Sequence, residues 1–159
     1  MRWVEFLSAC PEIGQLAVAR FREDELVFLG TVRPDGSARV SPCELDVVDD
    51  DLMFGMMWRS QKALDLMLDP RITVHSATAD RMNPDGDVKL RGAMLDVVDT
   101  PTRDRYREVL KARIDWAPDE PEFHLFAIDV EHAAYLRFGE APIGLVWSPD
   151  AGLRRVELH

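Results

Sequence analysis

Cysteine is scarce: only Cys10 and Cys43 occur in 159 residues. Two cysteines build no disulfide framework, and their spacing matches no metal site, so both are expected to be reduced and partly buried. Lysine is scarcer than its charge class implies. Lys62, Lys89 and Lys111 stand beside sixteen arginines, a bias that fits a high-GC bacterial genome. Positive charge is short overall: the net charge is −10. That argues against a nucleic-acid backbone or an anionic membrane as main partner, while leaving room for one local basic pocket. No apolar run approaches the roughly 20 residues of a membrane span. The opening MRWVEFLSACPEIG has neither the apolar core nor the small-residue cleavage site of a signal peptide. A soluble cytoplasmic protein is the expectation.

What is present is a globular composition, 47% hydrophobic, with enough length for one core. No repeat or linker interrupts it, so one domain is expected over residues 1–159. Ile13, Leu16, Ala17 and Phe21 recur at helical spacing and predict a helix over 11–21. From Leu26 the pattern turns to strands. Leu26–Val32 is followed by the turn Arg33-Pro34-Asp35-Gly36, where Pro presets φ and Gly supplies a permissive backbone. Ser37–Val48 reads as one long returning strand ended by Asp49-Asp50-Asp51, and Leu52–Met57 as a short apolar one. Trp58–Lys62 opens a short helix with Ser60 as N-cap, stopped at Asp69-Pro70.

Arg71–Thr78 and Val88–Val98 continue the strands around a loop at 79–87. Gly92 inside the second predicts a bulge or a close backbone approach. Thr100 is expected to cap a helix with Pro101 in its first turn and Tyr106, Val109, Leu110 and Ile114 as its apolar stripe. Phe123–Val130 and Ala133–Phe138 read as two strands with a sharp connection at Glu131-His132. A small hairpin closes the chain over about 144–158. Strands joined mostly by turns, with few helices, predict an antiparallel barrel with helices outside it.

The best candidate for chemistry is the start of the helix at Trp58–Lys62. Helix N-termini carry free N–H groups and partial positive charge, and Arg59, Ser60 and Lys62 cluster at this one. It reads as a phosphate site or as an ordinary capped helix with solvated basic side chains. Arg39 and Ser41, two apart on a strand, share a face and either reach a ligand or serve the strand alone. Lys89 and Arg91 also share a face, as anion ligands or as surface ion-pair partners. Met53, Met56, Met57 and Met67 are core filler or an adaptable pocket. His75, His124 and His132 have no metal-site spacing, and no serine has a nucleophile-elbow context.

The runs FLGTVRPDGSARVSP, LMFGMMWRSQKALDLMLDPRITV and GDVKLRGAMLDVVD, in that order, resemble the pyridoxamine 5′-phosphate oxidase-like flavin-binding split-barrel family. The resemblance covers roughly Leu26 to Asp99. It implies a mainly β (α+β) fold, a six-stranded antiparallel split β-barrel with short flanking helices, and a homodimer with cofactor at the interface. It implies flavin mononucleotide (FMN), or alternatively a deazaflavin, and an oxidoreductase that moves a hydride to or from a small organic substrate. The family's phosphate-binding S-x-K falls on Ser60 and Lys62, and its strand arginine on Arg39. Val40 and Ser41 would pass beside the ring, and Met56, Met57 and Trp58 would line the same pocket. Arg59, Lys89 and Arg91 would add positive charge. Glu44-Leu45-Asp46 stands where true pyridoxamine phosphate oxidases carry a second basic residue, and their C-terminal arginine motif is missing, which points away from vitamin-B6 chemistry. The other reading is a catalytically silent split-barrel binding protein for a cofactor or, with the cofactor lost, for another small ligand.

Overall fold

The computed structural model describes residues 1–24, 26–78 and 84–158. Two helices, α1 (Trp3–Ala9) and α2 (Pro11–Asp24), precede β1 (Leu26–Val32), β2 (Ala38–Glu44), β3 (Asp46–Val48) and β4 (Asp51–Met57). Then come α3 (Gln61–Leu68), β5 (Arg71–Ser76), β6 (Asp87–Asp96), α4 (Thr100–Ile114), β7 (Phe123–Arg137), β8 (Ile143–Ser148) and β9 (Gly152–Arg155). All pairings are antiparallel, in the order β2-β1-β5-β6-β7-β4-β3, with β8 and β9 added beside β7. The architecture is an α+β split barrel.

The strand expected over 37–48 is two strands. In β2 the odd residues Arg39, Ser41 and Cys43 turn inward, and Leu45 follows that phase. Asp46 and Val48 are buried as well, but on the opposite face, under α4: Asp46 pairs with Met53, and Met53 and Val48 pack with Tyr106. The alternation runs on unbroken, and what ends β2 is a change of pairing partner from β1 to β4. Arg113 on α4 holds Asp46 at 2.9 Å. The break lets the chain leave one edge of the sheet, β2 beside β1, and enter the other, β3 beside β4. Leu45 is therefore the crossover that wraps the sheet into a barrel. Beside it, Cys43 Sγ lies 3.7 Å from the Gly55 carbonyl of β4, across the seam. Asp49 and Asp50 both take left-handed φ in the β3–β4 turn, the geometry of a tight hairpin.

The other differences are local. Phe123–Arg137 is one continuous strand rather than two, and the irregularity expected at Glu131-His132 is a bulge within it. Arg91 faces His132 while Gly92 faces Val130, which leaves Glu131 as the extra residue. Gly92 meets the expectation made for it, because a Cβ there would collide with the Asp129 carbonyl oxygen. The N-cap of α4 is Asp99, whose carboxylate accepts from the Thr102 N–H at 3.0 Å, not Thr100. Only Tyr106 and Leu110 of the predicted α4 stripe are buried; Val109 and Ile114 are exposed. Helix α1 was not foreseen, and among the described residues the sheet holds nine strands, β8 and β9 forming the expected C-terminal hairpin. The loop expected at 79–87 lies partly outside the described residues.

The interior is one apolar cluster. Leu29, Phe54, Val74, Leu90 and Ile128 fill the barrel, and Trp3, Phe6, Ile13 and Phe21 of α1 and α2 join the same cluster. Phe6 meets Trp147 edge-on at 5.1 Å, which ties the first helix to β8. A second cluster forms outside β4 and β7, where Tyr106 and Leu110 of α4 cover Met53, Phe123 and Leu125. No helix among the described residues is long and apolar enough to cross a membrane.

Candidate functional site

β4 ends at Met57, and the chain then turns sharply into α3. Arg59 adopts φ +55°, unusual for a residue with a side chain, and the Ser60 N–H donates to the Met57 carbonyl at 3.0 Å. Ser60 has the extended backbone of an N-cap, yet its hydroxyl makes no capping hydrogen bond. The hydroxyl oxygen is buried and has no partner. The first-turn N–H groups of α3 lack intrahelical partners as well. An unpartnered hydroxyl beside free N–H groups is a donor set without an acceptor.

Two cations border this turn. Lys62 reaches back to β2, its Nζ donating to the Pro42 carbonyl at 2.6 Å. Burial pushes the neighbouring Cys43 thiol up from its ordinary pKa, against the pull of Lys62. Arg39 comes from the inward face of β2, and its Nε donates to Asp65 Oδ2 at 2.6 Å. Asp65 is 2% exposed and also accepts from Thr31 Oγ1 at 2.8 Å. The Arg39 guanidinium is thus anchored through Nε, while its terminal nitrogens make no hydrogen bond among the described residues. Helix α3 thus reaches β2 twice, through Lys62 at Pro42 and through Asp65 at Arg39.

The remaining candidates separate. Ser41 lies on the inward face of β2 with Arg39, whereas Val40 points outward and is 70% exposed. The two therefore cannot line one wall of the strand. Met56 is buried in the barrel core, while Met57 and Trp58 are exposed next to the α3 turn. Lys89 and Arg91 project from the outer face of β6, three strands from β2. At about 4.8 Å per strand that is about 14 Å, so within one chain they do not join Lys62. They border instead a groove of about 300 Å3 with Thr73, His132, Val146 and Arg154. Lys89 is held by Asp87 at 3.1 Å. Glu44 and Asp46 are both tied to Arg113 at 2.9 Å, which neutralises acid close to the site.

His124 is the residue that sequence reasoning passed over. It lies on the inward face of β7, 8% exposed, with Nε2 buried and unpartnered. The Trp58 ring stacks on it at 4.7 Å and 11°. Burial lowers its pKa, assisted by Arg103 and opposed by Asp96, so the imidazole is neutral near pH 7. Nothing local in the sequence signals this contact, since Trp58 and His124 meet only because Met56 pairs with His124 in the sheet. Among the described residues no three His, Cys, Asp or Glu side chains gather as a metal site.

No family model matches the sequence, and no curated protein does. Solved structures do. A pyridoxamine 5′-phosphate oxidase-related, FMN-binding protein from Nostoc punctiforme aligns with a TM-score of 0.75 and 18% identity, over 96% of this chain and 100% of that one. The chain has the pyridoxamine 5′-phosphate oxidase-like split-barrel fold. A second such split barrel, a protein of the pyridoxinephosphate oxidase family from Clostridium acetobutylicum, aligns at TM-score 0.65 and 12% identity, over 87% of this chain and 97% of that one. A heme binding protein from Mycobacterium smegmatis aligns at 0.66 and 14%, over 84% of this chain and 57% of that one. At these identities the likeness is one of fold.

Proposed function

We propose that this split barrel binds a flavin-type cofactor by its phosphate at the start of α3, and that it works as an FMN-dependent oxidoreductase on a small organic substrate. The observation that carries the reading is the Ser60 hydroxyl, buried and unpartnered at the α3 N-terminus, on a helix that also bears Lys62 and anchors Arg39. That donor set fits a phosphate: hydroxyl and N–H groups offer neutral hydrogen bonds, and the two cations offer charge-assisted ones. Bound FMN would supply hydride chemistry at its ring. The protein's share is to fix the tail through Ser60, Lys62 and Arg39, and to offer Met57 and Trp58 as an apolar edge. No side chain at the site forms an acid–base pair.

The active form in this reading is a homodimer. Leu26, Phe28 and Val40 are exposed on one outward face of β1 and β2, an apolar surface suited to a second copy. A partner's outer β6 face is then the route by which Lys89 and Arg91 reach a cofactor. A deazaflavin is the competing ligand. Glu44-Leu45-Asp46 stands where a second basic residue would be, and a phosphodiester needs less neutralisation than the dianionic phosphate of FMN. A cofactor-free binding protein is the remaining alternative. An absorbance spectrum of the purified protein, then ring-fluorescence titration with FMN and with a deazaflavin at two salt concentrations, tests the proposal. Saturable FMN binding is expected. Tight deazaflavin binding without FMN binding would reassign the cofactor, and binding of neither would sink the proposal.

A further inference from the structure

A second cleft lies away from the α3 turn, between the two N-terminal helices and the Leu45 crossover. Its volume is about 360 Å3, at the small end of ligand pockets. Trp3, Leu7, Val18 and Phe21 of α1 and α2 form one wall, and Leu45 and Leu52 form the other. None of Arg39, Ser60 or Lys62 lines it. The lining is apolar except for three charged residues, Arg22, Asp46 and Arg113.

The charges decide what such a cleft would accept. Arg113 is closed on Asp46 and Glu44, each at 2.9 Å. Arg22, in the last turn of α2, makes no ion pair or hydrogen bond among the described residues. Arg113 is thus met by two carboxylates, which leaves Arg22 as the uncommitted lining charge among the described residues, on a chain of net charge −10. A cation entering the cleft would meet Arg22 and Arg113, with the only lining carboxylate already engaged. An anion would meet an uncommitted guanidinium at the rim, and its apolar remainder would leave water for an apolar lining. The crossover explains why the cleft exists. At Leu45 the chain leaves one sheet edge for the other, and Leu45 and Val47 line the space left beneath α1 and α2.

We propose that this cleft is a ligand site separate from the α3 turn, and that it takes a small monocarboxylic acid with an apolar body, its carboxylate on Arg22. Calorimetric titration of the full chain with decanoate tests the proposal, with 3-phenylpropionate and decylammonium in parallel. One acid is expected to bind saturably, one per chain, at least tenfold tighter than decylammonium. The tighter acid tells an extended body from a flat one. Arg22→Glu should weaken that acid at least tenfold. Val18→Trp, which fills the cleft, should abolish binding while FMN titrates as before. Should Val18→Trp fail to fold, Leu7→Phe narrows the same wall and serves instead. The proposal is overturned if neither acid saturates, if the filled variant binds equally well, or if FMN displaces the acid.

Discussion

Arg39 Nε donates to Asp65 Oδ2 at 2.6 Å, joining β2 to α3 through a carboxylate that Thr31 also holds at 2.8 Å. Asp65 is almost wholly buried, so its charge depends on these donors. Removing Arg39 alone leaves that charge with one hydroxyl. Arg39→Met is expected to cost about 3–5 kcal/mol, the scale for breaking one side of a buried pair. Replacing both partners by apolar residues, Arg39→Met with Asp65→Leu, should recover most of it. Urea unfolding of the single and double variants checks this. Equal losses in both would mean that the pair contributes no more than packing.

Ser60 and Lys62 give opposite signatures of a binding role. The Ser60 hydroxyl is buried without a partner, so Ser60→Ala removes an unsatisfied group. It should leave the stability of the unliganded protein unchanged or raised by about 1 kcal/mol. Phosphate affinity should nevertheless fall. Lys62→Ala should weaken cofactor affinity by about 1.5–3 kcal/mol, the worth of a charge-assisted hydrogen bond. Thermal melts paired with FMN titration separate the two effects. Unchanged affinity in a folded Lys62→Ala protein places the phosphate elsewhere.

The elements that the sequence reveals are those whose signal is local. The Pro-Asp-Gly turn, the α3 start and stop, and the bulge at Gly92 each rest on one or two residues with special backbone needs. The fold's central device does not. The break at Leu45 is a change of partner strand, from β1 to β4, and Asp46 beyond it is held by Arg113, 67 residues away in the chain. Apolar Val47 and Val48 continue the strand pattern through the break and hide it. The site divides in the same way. Ser60 and Lys62 are legible because a helix N-terminus is a local feature. Anchoring of Arg39 by Asp65, and burial of His124 under Trp58, come from tertiary pairing. Helix α1 went unseen because seven residues with two buried aromatics, Trp3 and Phe6, carry little periodicity.

Gly92 sits where β6 meets the β7 bulge, and a Cβ there would run into the Asp129 carbonyl oxygen. Backbone cannot yield as a flexible side chain can. Gly92→Ala is expected to cost about 3–4 kcal/mol, the upper range for a single substitution. Gly36→Ala is a useful control. It has left-handed φ but open space, and should cost about 1 kcal/mol. Chemical denaturation of both variants tests the ordering, which would fail if the two losses were equal.

The proposed dimer depends on the outward face of β1 and β2. Phe28 is 43% exposed there and pairs in register with Pro42. Phe28→Asp should leave the barrel folded, because the side chain is outside the core, while putting a desolvated charge at the contact. Sedimentation of the unaltered protein should show twice the 18.1 kDa chain mass, and the variant the single mass. An unaltered protein that stays at 18.1 kDa at micromolar concentration removes the dimer.

His124 gives the barrel a stability dependence on pH. Its ordinary pKa is 6.5, and burial beneath Trp58 lowers it in the folded state. Between the folded and unfolded values the unfolded chain holds a proton that the folded one lacks. Stability therefore rises with pH across that window. It is fully present above about 6.5 and is lost progressively as pH falls toward the folded value. Carboxylates act lower on the scale. Asp69, held down to about 2 by hydrogen bonds from Arg71, contributes above its ordinary 3.8 and loses that contribution only as pH falls through its folded value. The interval just below 6.5 can thus be read against His124. His124→Phe keeps a flat ring between Trp58 and Phe126 and removes the titration. The urea midpoint of the unaltered protein should drop between about pH 7.5 and about pH 5.5, and that of His124→Phe should drop less. Equal drops in both would show that the buried imidazole does not set this dependence.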